Sequence, residues 1–263
     1  MTDSHILCLG YGYTAGALAR RLLLLGWQVS ATFRDSTKAP ANIRALPYPP
    51  PADDSITHIL VSTPPSAGLP ALPSYPNLRW LGYLSATSVY GDHGGAWVDE
   101  TTPCIPTSPR GAERLAAEQS WQRAYPQTHV FRLAGIYGPD RNVLDELRAG
   151  TARRIDKPGQ FFSRIHVEDI ALVLAASIAK PNPGVIYNVA DNEPASSAEV
   201  TAYGAQLLGL PTPPLEPYDP TRLSPMAASF YADNKRVRNV RIKTELGVQL
   251  LYPTYREGLR SYL

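Results

Sequence analysis

Two groups of residues in this chain have types and spacing suited to chemistry: the small residues Gly10, Gly12 and Ala15, and the arginines Arg110 and Arg114. The small residues interrupt the run 6–16, ILCLGYGYTAG, where an apolar strand turns into a helix. Gly10 permits the tight turn, Gly12 leaves room for backbone to approach a pyrophosphate, and Ala15 is small enough for the helix to pack on the strand. The unpaired N–H groups and dipole at the helix start then favour an anion. A GxGxxA turn alone is common and can be purely structural. Here a strand precedes it, ALARRLLLLGW continues it as a helix and a second strand follows, so it reads as a dinucleotide cradle, with Tyr13 and Thr14 at the helix start.

The choice of dinucleotide turns on the end of the second strand, read as residues 27–33, where NAD would meet an Asp or Glu at its ribose 2′-hydroxyl. This chain has Thr32, Phe33 and Arg34 there. A guanidinium attracts a 2′-phosphate, and the missing carboxylate removes the NAD contact, so NADP is expected over NAD. The alternative makes Arg34 a solvated strand-end residue with Asp35 as a ribose ligand. Ser62 and Thr63, ending the third strand, are expected on the same cofactor.

Arg110 and Arg114 lie on a helix read at 109–124, one turn apart, and present two guanidinium forks on one face. That spacing suits a carboxylate or phosphate of substrate or cofactor, and Glu113, Glu118 and solvent are the competing partners. Groups able to move a proton nearby are Thr87, Ser88 and Tyr90 after the fourth strand, Tyr137 in GIYGP, and His166 before a helix at 167–179. Either tyrosine is a proton donor or a packing aromatic. His166 fits hydrogen bonding at a helix start better than catalysis. Tyr137 and Arg164 are the expected substrate contacts.

These residues need a scaffold that gathers strand ends. Strand-like runs at 5–9, 27–33, 56–62, 79–85, 128–133 and 185–189 alternate with helical patterns at 15–25, 109–124 and 167–179. That alternation predicts an α/β fold, a Rossmann-type doubly wound parallel sheet. Residues 36–55 have weak periodicity. Prolines cluster at 47–51, 64–76, 103–109 and 211–220, which are expected as extended loops. The last third, with helices at 196–209 and 240–246, leaves the alternation and reads as a smaller C-terminal substrate lobe over the carboxyl edge of the sheet. The expected division is 1–190 for the cofactor domain and 191–263 for the lobe, with 139–165 contributing to the lobe.

With 263 residues, 44% of them hydrophobic, the chain can bury a large core, and a formal net charge of +2 argues against nucleic acid or acidic membranes as partners. Cys8 and Cys104 match no metal spacing, and no metal is expected. No leader or membrane span is read, so the expectation is a soluble cytoplasmic protein. The basic run Lys235, Arg236, Arg238, Arg241, Lys243 reads as a solvated face, with Asn239 a helix N-cap.

Taken together, GYGYTAG, YLSATSVYGD, FRLAGIYGP, RIHVEDIA and YNVADNEPAS resemble the extended short-chain dehydrogenase/reductases, in particular atypical members of the NAD-dependent epimerase/dehydratase type. The resemblance runs nearly end to end. It implies a Rossmann domain binding NAD(P), a C-terminal substrate lobe, and oxidoreductase, epimerase or dehydratase chemistry on nucleotide sugars. Dimers through helices of the Rossmann domain are common among such relatives. Typical members use a Ser or Thr after the strand and a YxxxK on the next helix, where the lysine lowers the tyrosine pKa. Aligning VYG at 89–91 puts Ala86 at the hydroxyl position, with Ser85, Thr87 and Ser88 as neighbours able to substitute, Arg110 at the tyrosine and Arg114 at the lysine. Arginine keeps its proton, so neither can be the general acid or base. A literal YxxxK at Tyr231–Lys235 lies in the C-terminal lobe, far past that helix. Two functions follow: an NADP-dependent oxidoreductase or epimerase for a small anionic or sugar-like substrate, or an NADP(H)-binding sensor or scaffold without turnover.

Overall fold

The computed structural model describes residues 4–263. Its centre is a seven-stranded sheet: β1 (His5–Leu9), β2 (Gln28–Thr32), β3 (Arg44–Leu46), β4 (His58–Val61), β5 (Trp80–Ala86), β6 (His129–Leu133) and β7 (Ile186–Val189). The spatial order is β7-β6-β5-β4-β1-β2-β3, and every pairing is parallel. The chain reverses its direction of winding at β1, which lies between β2 and β4. In sheets of this kind ligands bind at such a reversal, beyond the carboxyl ends of the strands.

Alternation along each strand sends residues to two cores. Ile6 and Cys8 join one with Ala15, Leu18 and Leu22 of α1 (Tyr13–Leu24), while Leu7 and Leu9 join the other with Trp121 of α2 (Pro109–Ala124). Both faces are covered, which explains why the strands read as continuous apolar runs. Leu18 is fully buried, and a side chain of that size contributes about 1.5–3 kcal/mol relative to exposure. Ala15 is equally buried, as the packing role of the third small residue requires. α1 ends at Leu24, and Gly26 at φ 78° turns the chain into β2.

A third core, built around Tyr137, Leu144, Leu147, Val200, Tyr255 and Leu259, lies outside the sheet. It gathers α3 (Val143–Arg148), α5 (Ser197–Leu208) and α8 (Tyr255–Arg260), with α4 (Val167–Ala179) packed on α1. Capping boxes start α5 (Ser196 with Glu199) and α8 (Thr254 with Glu257). Short parallel pairs, 135–137 with 164–166, 154–156 with 215–217 and 97–98 with 236–237, tie these segments together. α6 (Pro225–Ala232) and α7 (Val240–Thr244) complete the helices.

The pattern reading differs from this structure where elements are short. β3, α3, α6 and α8 span three, six, eight and six residues, too few for a period to register. Two of the proline clusters are not wholly loop: 215–217 pairs as a strand, and 65–67 and 220–222 are 3-10 turns. Asn239 precedes α7 but does not cap it by its side chain; its amide donates to the carbonyls of Ala190 (2.8 Å) and Asp191 (3.2 Å). The basic run is a solvated face only in part: Arg238 and Lys243 are exposed, and the other three are tied to the protein. Lys235 is mostly buried against the Gly91 carbonyl and Asp233, Arg236 donates to Gly95, and Arg241 donates to Ile186. Among the described residues no helix is long and apolar enough to cross a membrane.

Candidate active site

The loop after β1 bends at Gly10, whose φ of 86° favours glycine and whose amide donates to Thr32 Oγ1 at 2.8 Å. A Cβ there would stand 3.1 Å from Thr63 Cγ2 and 3.3 Å from the Ser62 carbonyl carbon, so the loop lies directly against the end of β4. Gly12 is the opposite case. Its backbone is extended, and a Cβ would meet nothing within 4 Å. Gly12 is also the N-cap of α1, with no side-chain cap and no acidic residue in the first turn. Free helix-start amides facing open space form a cradle that fits a diphosphate. Thr14 and Ala15 are buried in the helix's packing face, whereas Tyr13 leans outward and its phenol donates to the Pro139 carbonyl.

At the end of β2, Phe33 packs its ring 5.1 Å from that of Tyr11. Arg34 is exposed and has no partner among the described residues. Asp35 is committed: its carboxylate accepts from the Thr37 amide (3.1 Å) and hydroxyl (2.6 Å) and lies 3.8 Å from Lys38.

Beyond β5 the chain makes a 3-10 turn, Thr87–Tyr90. Thr87 and Ser88 are half-buried, and neither hydroxyl has a partner among the described residues. Tyr90 is corrected by the structure: it points inward, fully buried, rather than standing at the edge. Its hydroxyl accepts from Arg132 (3.0 Å) and donates to Asn188 Oδ1 (2.8 Å), and burial pushes its pKa up to about 12. The phenol is enclosed by these partners.

α2 starts at Ser108, which caps the Gly111 amide at 3.1 Å, with Pro109 in the first turn. Arg110 is exposed without an ion pair among the described residues. Arg114 is half-buried and donates to the Leu84 carbonyl (2.9 Å) and Tyr83 hydroxyl (3.3 Å). Neither takes Glu113 or Glu118; Glu118 is bound to Arg132 instead. The expected pair of equal forks is thus one free guanidinium and one tied to β5.

Tyr137 and Arg164 lie on the wall of one cavity of about 480 Å³ that Arg141, Ser197 and Thr201 also line. The Tyr137 phenol is nearly buried, reaches the Thr254 carbonyl at 3.5 Å, and is raised well above its ordinary range by burial. Arg164 donates to the carbonyls of Phe162 (2.8 Å) and Ala195 (2.9 Å). His166 caps α4 through its Nδ1, which accepts the Glu168 amide at 3.1 Å, while Nε2 meets the Tyr262 hydroxyl. Its bond at the helix start is the one the sequence suggested. The literal YxxxK has no common site: Tyr231 is buried against Phe162 and Tyr218, and Lys235 is held by Asp233.

Sequence reasoning missed Asp191, which is buried with Oδ2 lacking a hydrogen bond and Oδ1 accepting the Glu193 amide. Burial pushes its carboxyl up to about 8. It also missed the Glu118–Arg132 pair, although an arginine inside the apolar strand HVFRL is a legible sign of a buried partner.

No family profile matches the chain. A conserved protein of unknown function from Silicibacter pomeroyi has a solved structure that is 52% identical, covers 98% of each chain and has a TM-score of 0.90. A candidate NAD-dependent epimerase/dehydratase from Methylobacillus flagellatus is 25% identical, with 99% of this chain and 97% of that one covered and a TM-score of 0.74. Protein YeeZ of Escherichia coli is 31% identical over 188 residues, which is 65% of this chain. The match spans 58% of that relative's length. The chain belongs to one family with the Silicibacter pomeroyi protein, and its fold is that of the NAD-dependent epimerase/dehydratase structures it resembles.

Proposed function

We propose that the chain is an NADP(H)-dependent oxidoreductase or epimerase/dehydratase acting on a small sugar-like or anionic molecule, through a site without the usual Tyr–Lys pair. The observation that carries it is the open space at Gly12, in front of an uncapped helix start. The residues present fit a dinucleotide: Gly10, Gly12 and the first amides of α1 for the diphosphate, Ser62 and Thr63 beside them. Arg34 is the free cation for a 2′-phosphate, and the occupied carboxylate of Asp35 supports NADP over NAD. Bound there, a nicotinamide supplies hydride transfer.

The chain's own part is to hold the substrate and a proton. Arginines 110 and 114 cannot exchange one at working pH, and Tyr90 is enclosed. That leaves the unpaired hydroxyls of Thr87 and Ser88 to hydrogen-bond a reacting oxygen, with Arg110 free to grip an anionic group. Tyr137 and Arg164, on the cavity wall, serve substrate recognition. In this reading 1–190 carries the cofactor, and 191–263 with 139–165 carries the substrate; a cytoplasmic setting suits the two free cysteines.

A second reading, an NADP(H)-binding sensor without turnover, is favoured by one observation: Arg114 is tied to the Leu84 carbonyl instead of standing free. Fluorescence titration with NADPH and NADH, followed by a carbonyl and nucleotide-sugar panel monitored by NADPH oxidation, separates the readings. Micromolar NADPH binding with turnover on a panel member is the expected result. Binding without turnover gives the sensor, and no binding of either nucleotide removes both.

A further inference from the structure

We infer that the buried pair Glu118–Arg132 is a positioning node that fixes both arms of the proposed site, the 87–90 turn and the arginine-bearing start of α2. Calling those arms the site rests on the proposed function; the node itself rests on geometry. Arg132 Nη2 lies 2.8 Å from Glu118 Oε2, and its Nε reaches Oε1 at 3.1 Å, with side-chain exposures of 5% and 2%. Two further groups close on this fork. Ser85, at the end of β5, donates its hydroxyl to Glu118 Oε1. Arg132 Nη1 donates to the Tyr90 hydroxyl at 3.0 Å while the guanidinium lies 4.9 Å from the centre of that ring. Tyr90 donates onward to Asn188 Oδ1, and the Asn188 backbone N–H donates to Glu100 Oε1 at 2.8 Å.

Stability alone does not account for such a pair, because desolvating two charges offsets most of their attraction. What a bidentate fork adds is direction. α2 needs it. Of its sixteen residues only Gly111, Glu118 and Trp121 are buried, and Leu115 and Ala117 are partly buried, so only Trp121 packs as a large buried apolar side chain. Glu118 sits one turn beyond Arg114 and sets how the helix is rotated about its axis. Gly111 shows how closely the two arms meet, since a Cβ there would stand 2.7 Å from the Ser88 carbonyl oxygen. One arginine on β6 therefore holds α2 through Glu118 and the turn through Tyr90. Glu118, Arg132 and Tyr90 are positioning residues, acting on Thr87, Ser88, Arg110 and Arg114 without reaching the cleft.

Amide hydrogen exchange on the full chain tests this without any ligand. Tyr90→Phe cuts only the turn arm, and exchange is expected to rise about tenfold at 87–91 while 109–114 and β1 keep their protection. Glu118→Gln keeps the shape but loses the charge, and is expected to raise exchange in both segments with β1 unchanged. In parallel, both variants should keep the NADPH dissociation constant within about twofold while the fluorescence yield of the bound nicotinamide changes. Exchange unchanged at 87–91 in Tyr90→Phe, or raised uniformly across the sheet, overturns the inference. If Glu118→Gln does not fold, the segment-confined result for Tyr90→Phe still decides. Failure of the wild-type chain to bind NADPH would sink the proposed function and leave the exchange pattern standing.

Discussion

The phenol of Tyr13 donates a 2.8 Å hydrogen bond to the Pro139 carbonyl, so the first residue of α1 is fastened to the turn that precedes Asp140 and Arg141 on the cavity rim. The glycine loop and the cavity wall are thereby joined across 126 residues of sequence. Arg141 stacks on the same ring at 5.9 Å, adding a cation–π contact at a half-exposed position. Tyr13→Phe removes only the hydrogen bond. It is expected to cost about 0.5–1 kcal/mol in urea unfolding, the lower part of the usual range because the ring is exposed. A loss above about 2 kcal/mol would mean the tyrosine carries more than this link.

Gly10 and Gly12 should separate folding from binding. Gly12→Val places its Cβ in open space on an extended backbone, so it should fold, at no more than the modest cost of a poorer N-cap. The same branched group stands where a phosphate would approach, and NADPH binding is expected to fall at least about 100-fold with only a small change in melting midpoint. Gly10→Val forces a β-branched residue to φ 86° and against Thr63, and is expected to lower stability itself. Calorimetry and nucleotide titration of the two variants side by side check the contrast. Equal destabilisation by both would contradict it.

Arg34→Ala addresses the coenzyme. A charge-assisted hydrogen bond to a phosphate is worth about 1.5–3 kcal/mol, which corresponds to roughly 10–100-fold in affinity. NADP(H) should weaken by that factor and NAD(H) should not change, and the wild-type preference should shrink as salt rises. Equal losses for both nucleotides would place Arg34 outside the ribose pocket.

How much of this was legible depended on length and range. Helices 109–124 and 167–179 declared themselves because each has a start signal, Ser108–Pro109 and His166, followed by more than three turns of pattern. The glycine loop was readable because its residues act through adjacent backbone. Three-residue β3 and six-residue α3 fall below any period. Tyr90 misled for another reason. A turn after a strand sits at the carboxyl edge in sequence terms, but whether its side chain faces in or out is decided by partners on β6 and β7, 42 and 98 residues away. The same holds for Glu118, whose helix position is visible and whose arginine across the sheet is not.

Asp191 and the buried histidines give stability opposite slopes in pH. Burial holds His58 and His166 at about 4, against 6.5 for a free ring. Between those values the unfolded chain takes protons that the folded rings refuse, so stability falls as the medium is acidified. Asp191 runs the other way, its carboxyl raised from 3.8 to about 8 by burial, which outweighs the Glu193 amide and Arg164. Across that interval the folded chain keeps a proton that the unfolded chain has released, so this group costs stability as pH rises. Above 6.5 the histidine contribution is complete and the Asp191 slope remains until about 8. Wild-type stability is expected to peak near pH 6.5 and to decline by on the order of 2 kcal/mol toward pH 8. Asp191→Asn cannot ionise, and its unfolding free energy should be level over the same range. Urea unfolding at both pH values reads this directly, and an unchanged decline in the variant would assign the slope to another group.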